Sequence, residues 1–150
     1  MNLNQQPDLD LFQSKTTSGW WVPTPERTQR HLLSFTPTDD ILIARQYDKD
    51  SEEWDAFEIK GLDNFVVHHN GHVAVAAMHD RNMIFLQTPE GPVSATRHNI
   101  NSDEWSVDFT VPGNAAPETA IAAFATDVEL VVGFFGTEHK IHIHRRSRSF

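Results

Sequence analysis

From about residue 31 the chain alternates between short apolar runs and polar, turn-forming clusters. The runs are "HLLSF" (31–35), "ILIARQY" (41–47), "WDAFEI" (54–59), "FVV" (65–67), "HVAVAAM" (72–78) and "NMIFLQ" (82–87), then "VSATRH" (93–98), "WSVDFTV" (105–111), "TAIAAF" (119–124), "LVVGFF" (130–135) and "KIHIHR" (140–145). They are rich in Val, Ile, Phe and Thr and are fenced by Gly, Pro, Asn or Asp, which marks many short antiparallel strands. The pattern predicts well over a third of the residues in strands, against a usual share of about 20–25%, and little helix. One segment competes. In "NAAPETAIAAFA" (114–125), Pro117 suits a first helical turn, and Ile121 and Phe124 lie at i, i+3 spacing. "GWWVP" (19–23) sets Trp20 and Trp21 on opposite faces of any strand, so one should be buried and the other exposed. Residues 1–18 are polar without a strong period and read as an N-terminal arm, leaving 19–150 as a single all-β domain.

The runs also recur. "SEEWDAF" (51–57) is echoed by "SDEWSVDF" (102–109), with Trp54 and Trp105 in register. "VAVAAM" and "TAIAAF" match in pattern, as do the strands and turns that follow each of them. A third copy is partly visible upstream, where "ILIARQYDKDSEEW" parallels "VSATRHNINSDEW" and sets Arg45, Arg97 and Arg145 just after the same strand. The unit is about 46–52 residues with roughly four strands, the period and strand count of a propeller blade. A β-barrel or β-sandwich is the alternative. Propellers close with at least about four blades, and this chain holds about three. Open end faces would expose apolar side chains, so a homo-oligomer is expected, most simply a dimer forming a six-bladed ring. "GWWVP" and "KIHIHRR" should lie near its joint.

The order of these elements resembles the blades of the fucose-binding lectins of the Aleuria type, most closely over "TAIAAFATDVELVVGFFGTEHKIHIHRR". The resemblance spans roughly residues 31–145 and implies a non-enzymatic, carbohydrate-binding β-propeller with a glycan as ligand. In that family a sugar site takes an Arg from the aromatic-ended strand, a Glu from the next strand, and aromatic rings that stack on the sugar. Trp54 and Trp105 match in kind, whereas the Arg position holds Met83 and Val132 and the Glu position falls near Ala95 and Ile143. The charged clamp is therefore not matched. The candidate ligand-binding residues are Trp54, Trp105, Arg45, Arg97, Arg145 and Tyr47. Each Trp reads equally as a sugar platform or as a large core residue.

Composition narrows the partners. A net charge of −9 argues against nucleic-acid binding, which needs a positive field, and the short basic "RRSRSF" end does not reverse that balance. There is no cysteine, hence no thiolate zinc site or cysteine nucleophile. The start "MNLNQQPDLDLF" lacks the pattern of a secretory signal, and no apolar stretch approaches the ~20 residues of a membrane span, so a cytoplasmic protein is expected. Among nine histidines, His142 and His144 share one strand face, a metal half-site to which "HHNGH" (68–72) could add a third ligand. That pair supports a metal-dependent enzyme on a small β-barrel as a further alternative. A structural or protein-interaction β-domain with degenerate sugar sites is the other. No cofactor is implied, and motifs for hydrolase, protease or phosphate chemistry are missing.

Overall fold

The computed structural model describes residues 18–23, 30–38, 40–62, 65–77 and 81–147. Eleven strands run in order: β1 Ser18–Pro23, β2 Arg30–Thr38, β3 Ile41–Asp48, β4 Glu53–Phe57, β5 Val73–Ala77, β6 Arg81–Gln87, β7 Val93–Asn99, β8 Glu104–Thr110, β9 Ile121–Ala125, β10 Glu129–Phe135 and β11 Ile141–Ser147. They form three antiparallel sheets, β1-β2-β3-β4, β5-β6-β7-β8 and β11-β10-β9. Strands fill close to half of the chain, and among the described residues there is no helix. The all-β, blade-like expectation is thus met. The "NAAPETAIAAFA" helix is not formed. Ala115 bridges to Gly136, and Ile121–Ala125 pairs along β10, because these residues continue a sheet ladder that an isolated helical turn could not replace. "FVV" is likewise no strand: Val66 makes a single bridge to Ile41. Residues 1–17 of the arm expected at 1–18, and the side chains of Trp20 and Trp21, lie outside what is described, while Ser18 opens β1.

Repetition is written in the register. Adding 48 to each residue number of β5, β6 and β7 gives β9, β10 and β11, with identical cross-strand partners: Val73↔Leu86 becomes Ile121↔Phe134, and Gln87↔Val93 becomes Phe135↔Ile141. The β3–β4 hairpin maps onto β7–β8 with a shift of 51, so that Tyr47↔Trp54 becomes His98↔Trp105. Left-handed backbone recurs with it. Glu52 and Asp103 (φ 58° and 57°) take the same turn position, as do Asn70 and Glu118 (φ 54° and 58°). Left-handed φ is uncommon outside glycine and otherwise favours Asn and Asp, so its recurrence at two glutamates reflects a shared turn rather than residue preference.

The sheets stack side by side, with β5 lying next to β1 and β2 on one side and next to β9 on the other. Two cores result. Leu42 and Ala44 of the first sheet pack with Val73, Val75, Ile84, Leu86 and Trp105 of the second. The second sheet's opposite face, with Met83, Phe85, Val93 and Ala95, packs on Ile121, Leu130, Val132 and Phe134 of the third. Sandwiched between two neighbours, β6 is buried on both faces from Asn82 to Gln87. Each sheet therefore has a forward face, turned toward the next sheet, and a rear face, turned toward the one before.

Gln87 fastens the second connection. Fully buried, its Nε2 donates to the carbonyls of Gly91 (2.8 Å) and Ala116 (3.0 Å), and its Oε1 accepts from the Thr119 N–H (3.2 Å). Gln87→Leu keeps the volume but strands buried backbone groups, at a cost of about 1–3 kcal/mol. Urea denaturation should show a loss near the upper end of that range. A change below about 0.5 kcal/mol would mean that those groups find other partners.

Candidate functional site

The described part of the first sheet's rear face is built by a tight hairpin. Asp48 Oδ1 accepts from the Asp50 N–H (2.8 Å), and Glu52 takes a left-handed φ of 58°, returning the chain so that Trp54 on β4 faces Tyr47 on β3. Their ring centroids are 5.3 Å apart at an interplanar angle of 55°, and both side chains are half-buried. Arg45 precedes Tyr47 by two residues, which puts it on the same face of the strand. That face looks away from the second sheet, because Leu42 and Ala44, of the opposite parity, are the residues in the shared core. The structure thus gathers Arg45, Tyr47 and Trp54. One face carries two tilted aromatic rings, with an indole N–H and a phenol, and the strand position of an arginine.

Trp105 holds the same hairpin position one blade on, but at a different depth. It is only 3% exposed and belongs to the first core, where Ile59 and Leu62 pack around it. The His98 ring lies 4.8 Å away, and His98 Nε2 donates to Asp103 Oδ1 (2.9 Å). The expectation of Trp105 as a ligand platform is therefore corrected. The first sheet and the segment after it cover the indole, so no ligand reaches it.

The arginines do not form one repeated set. Arg97 and Arg145 are equivalent by the 48-residue shift and lie on forward faces, within β7 and β11. Arg45 is equivalent to Thr96 and lies on a rear face, since Arg45↔Ala56 maps onto Thr96↔Val107. Arg145 is exposed, with Nη1 3.6 Å from Glu129 Oε1, while Arg146 sits 4.3 Å over the Phe109 ring. Arg145 is thus engaged on its own sheet and Arg146 on β8 of the second. Met83 and Val131, rather than Val132, share a position, as do Ala95 and Ile143.

His142 and His144 do share a face of β11, but they pack against aromatic rings. His142 stacks on Phe134 (5.4 Å, 2°), and His144 lies 6.2 Å from Phe109. In "HHNGH", His69 Nδ1 meets Asp40 Oδ1 (2.9 Å) and His68 Nδ1 lies 2.8 Å from the His69 carbonyl. Among the described residues no group of three or more His, Cys, Asp or Glu side chains could hold a metal, so the proposed third ligand is not found. Sequence reasoning missed the Gln87 clamp and the cover over Trp105. The only signal for the cover is the apolar spacing of Ile59 and Leu62 around Gly61.

No protein-family profile matches the chain, and no curated protein matches it at significance. Solved structures do. A fucose-specific lectin from Aleuria aurantia is similar with a TM-score of 0.64 at 16% identity, covering 89% of this chain and 45% of that one. A second structure of that lectin, described as a six-bladed β-propeller with a novel fucose recognition mode, gives 0.65 at 18% identity, covering 89% and 43%. AofleA from Arthrobotrys oligospora gives 0.62 at 12%, covering 81% and 39%. The resemblance to Aleuria-type lectins holds at the level of fold, and this chain spans less than half the length of these proteins.

Proposed function

We propose that this protein is a non-enzymatic, carbohydrate-binding module that holds a sugar on the Tyr47–Trp54 pair, with Arg45 donating to its hydroxyls. The observation that carries the reading is the half-buried aromatic pair on the strand face of Arg45, on a blade of a fold shared with fucose-binding lectins. An indole face stacks on the C–H side of a pyranose, while the flanking donors fix its orientation. The sugar's identity rests on the array below, because the positions of the lectin clamp hold Met83 and Val131, and Ala95 and Ile143, instead of Arg and Glu.

That apolar replacement supports a second reading, an assembly domain that binds no glycan. A glycan array on the purified chain, followed by calorimetric titration of any hit, separates the two. Trp54→Ala should weaken a true ligand at least about 30-fold, the effect of losing a ~2 kcal/mol contact, with the circular dichroism spectrum unchanged. An empty array, or binding indifferent to Trp54→Ala, would refute the site.

A further inference from the structure

The third sheet presents a bare apolar face. Phe124 of β9, Val131 and Phe135 of β10, and Ile141 and Ile143 of β11 line an open hollow of about 320 Å³. Phe124, Phe135, Ile141 and Ile143 are 56, 48, 66 and 64% exposed. Patches of this kind on soluble proteins mark interaction sites. The residues 48 positions earlier show what belongs there. Ala76, Gln87, Val93 and Ala95 occupy the same places on the second sheet and are all buried, the last three completely, where that sheet meets the third. This is a forward face without the next sheet.

What covers a forward face elsewhere in the molecule is a rear face, and among the described residues the first sheet has one that is only partly covered. Ile43 is 37% exposed there, and Tyr47 and Trp54 are half-buried, whereas their counterparts Ser94, His98 and Trp105 are 5, 1 and 3% exposed beneath the first sheet. The exposed forward face of the third sheet and the partly exposed rear face of the first therefore correspond to the two halves of a joint already made twice within the chain. We infer that a second copy of this chain docks head to tail, the forward face of one copy's third sheet on the rear face of the other's first sheet. Two copies make both joints at once and complete six sheets, the number in the similar lectin fold, of which this chain covers 43%. The contact does not depend on the sugar reading. Of the two covers over Trp105, the first sheet and the Ile59–Leu62 segment that follows β4, the described strands of the third sheet would supply Trp54 with a counterpart of the sheet alone.

Light scattering at micromolar concentration should give about 34 kDa, twice the 17.1 kDa chain. Ile143→Asp, at a site 64% exposed and so harmless to the fold, should shift the mass to about 17 kDa with unchanged circular dichroism. Ile141→Asp asks the same question should that variant fail to fold. Because the chain has no cysteine, single thiols can be placed at will. Mixed Ile43→Cys and Ile143→Cys proteins should cross-link to each other through a bismaleimide reaching ~10 Å, the spacing of packed sheets. A monomeric wild type, or a dimer that survives both Asp variants, overturns the inference. Ile143→Cys cross-linking only to itself replaces it with a face-to-face contact of third sheets.

Discussion

Trp105→Ala is expected to cost about 3–5 kcal/mol of folding stability, the usual penalty for truncating a buried tryptophan, and Trp54→Ala about 1 kcal/mol or less, as for a side chain outside the core. The two residues occupy the same place in successive hairpins, each facing an aromatic partner across the ladder at 5.3 and 4.8 Å. Among the described residues, a sheet and the Ile59–Leu62 segment lie on top of Trp105, which is 3% exposed, whereas Trp54 is half-buried. A loss of 3–5 kcal/mol is a large share of the 5–15 kcal/mol that holds a domain folded, so Trp105→Ala should unfold at much lower urea, with a broad or incomplete transition. The comparison belongs in the Ile143→Asp background, where stability does not also report protein concentration through assembly. Equal losses for the two tryptophans would refute the assignment of forward and rear faces.

That contrast also marks how far the sequence could be read. The strands were legible because period-2 alternation and turn residues are local properties, as in "VSATRH" between "TPEGP" and "NINSDE". The echo around Trp54 and Trp105 is legible because Ser51 and Glu53 recur as Ser102 and Glu104, and the backbone bears it out with one shared turn, left-handed at Glu52 and Asp103. Faces were harder. Aligning Arg45 with Arg97 implies a shift of 52, whereas the hairpins obey 51, and a one-residue slip moves a side chain to the opposite face of its sheet. Sequence similarity scores both alignments well, and only the hydrogen-bonded register decides between them. Depth was out of reach for a related reason. Trp54 and Trp105 differ only in whether another sheet lies behind them, which depends on their place in the array rather than on neighbouring residues. The histidines of "KIHIHR" show the same limit, since alternation placed His142 and His144 on one face and could not say that Phe134 and Phe109 lie beside them.

The cover over Trp105 leads to the second large effect, at a residue with no side chain. Gly61 lies between Ile59 and Leu62, with φ at +90°. The Trp105 N–H donates to the carbonyl of Lys60 (2.8 Å), drawing this segment against β8. A Cβ at Gly61 would run into the Trp105 carbonyl oxygen, a backbone atom that cannot rotate aside. Gly61→Ala therefore combines the strain of a left-handed non-glycine residue, about 1–3 kcal/mol, with displacement of the segment and loss of its hydrogen bond, about 0.5–1.5 kcal/mol. Gly91 is the matched control. Its φ is +114°, yet a Cβ there would meet nothing within 4 Å, so Gly91→Ala reports backbone strain without a clash. Gly61→Ala should be the less stable variant by at least 1 kcal/mol, and its tryptophan emission should shift to the red as Trp105 loses its cover. The same emission from Gly91→Ala should stay as in the wild type. If the two alanines cost the same and neither moves the emission, the 59–62 segment does not seal Trp105, and its low exposure comes from the first sheet alone.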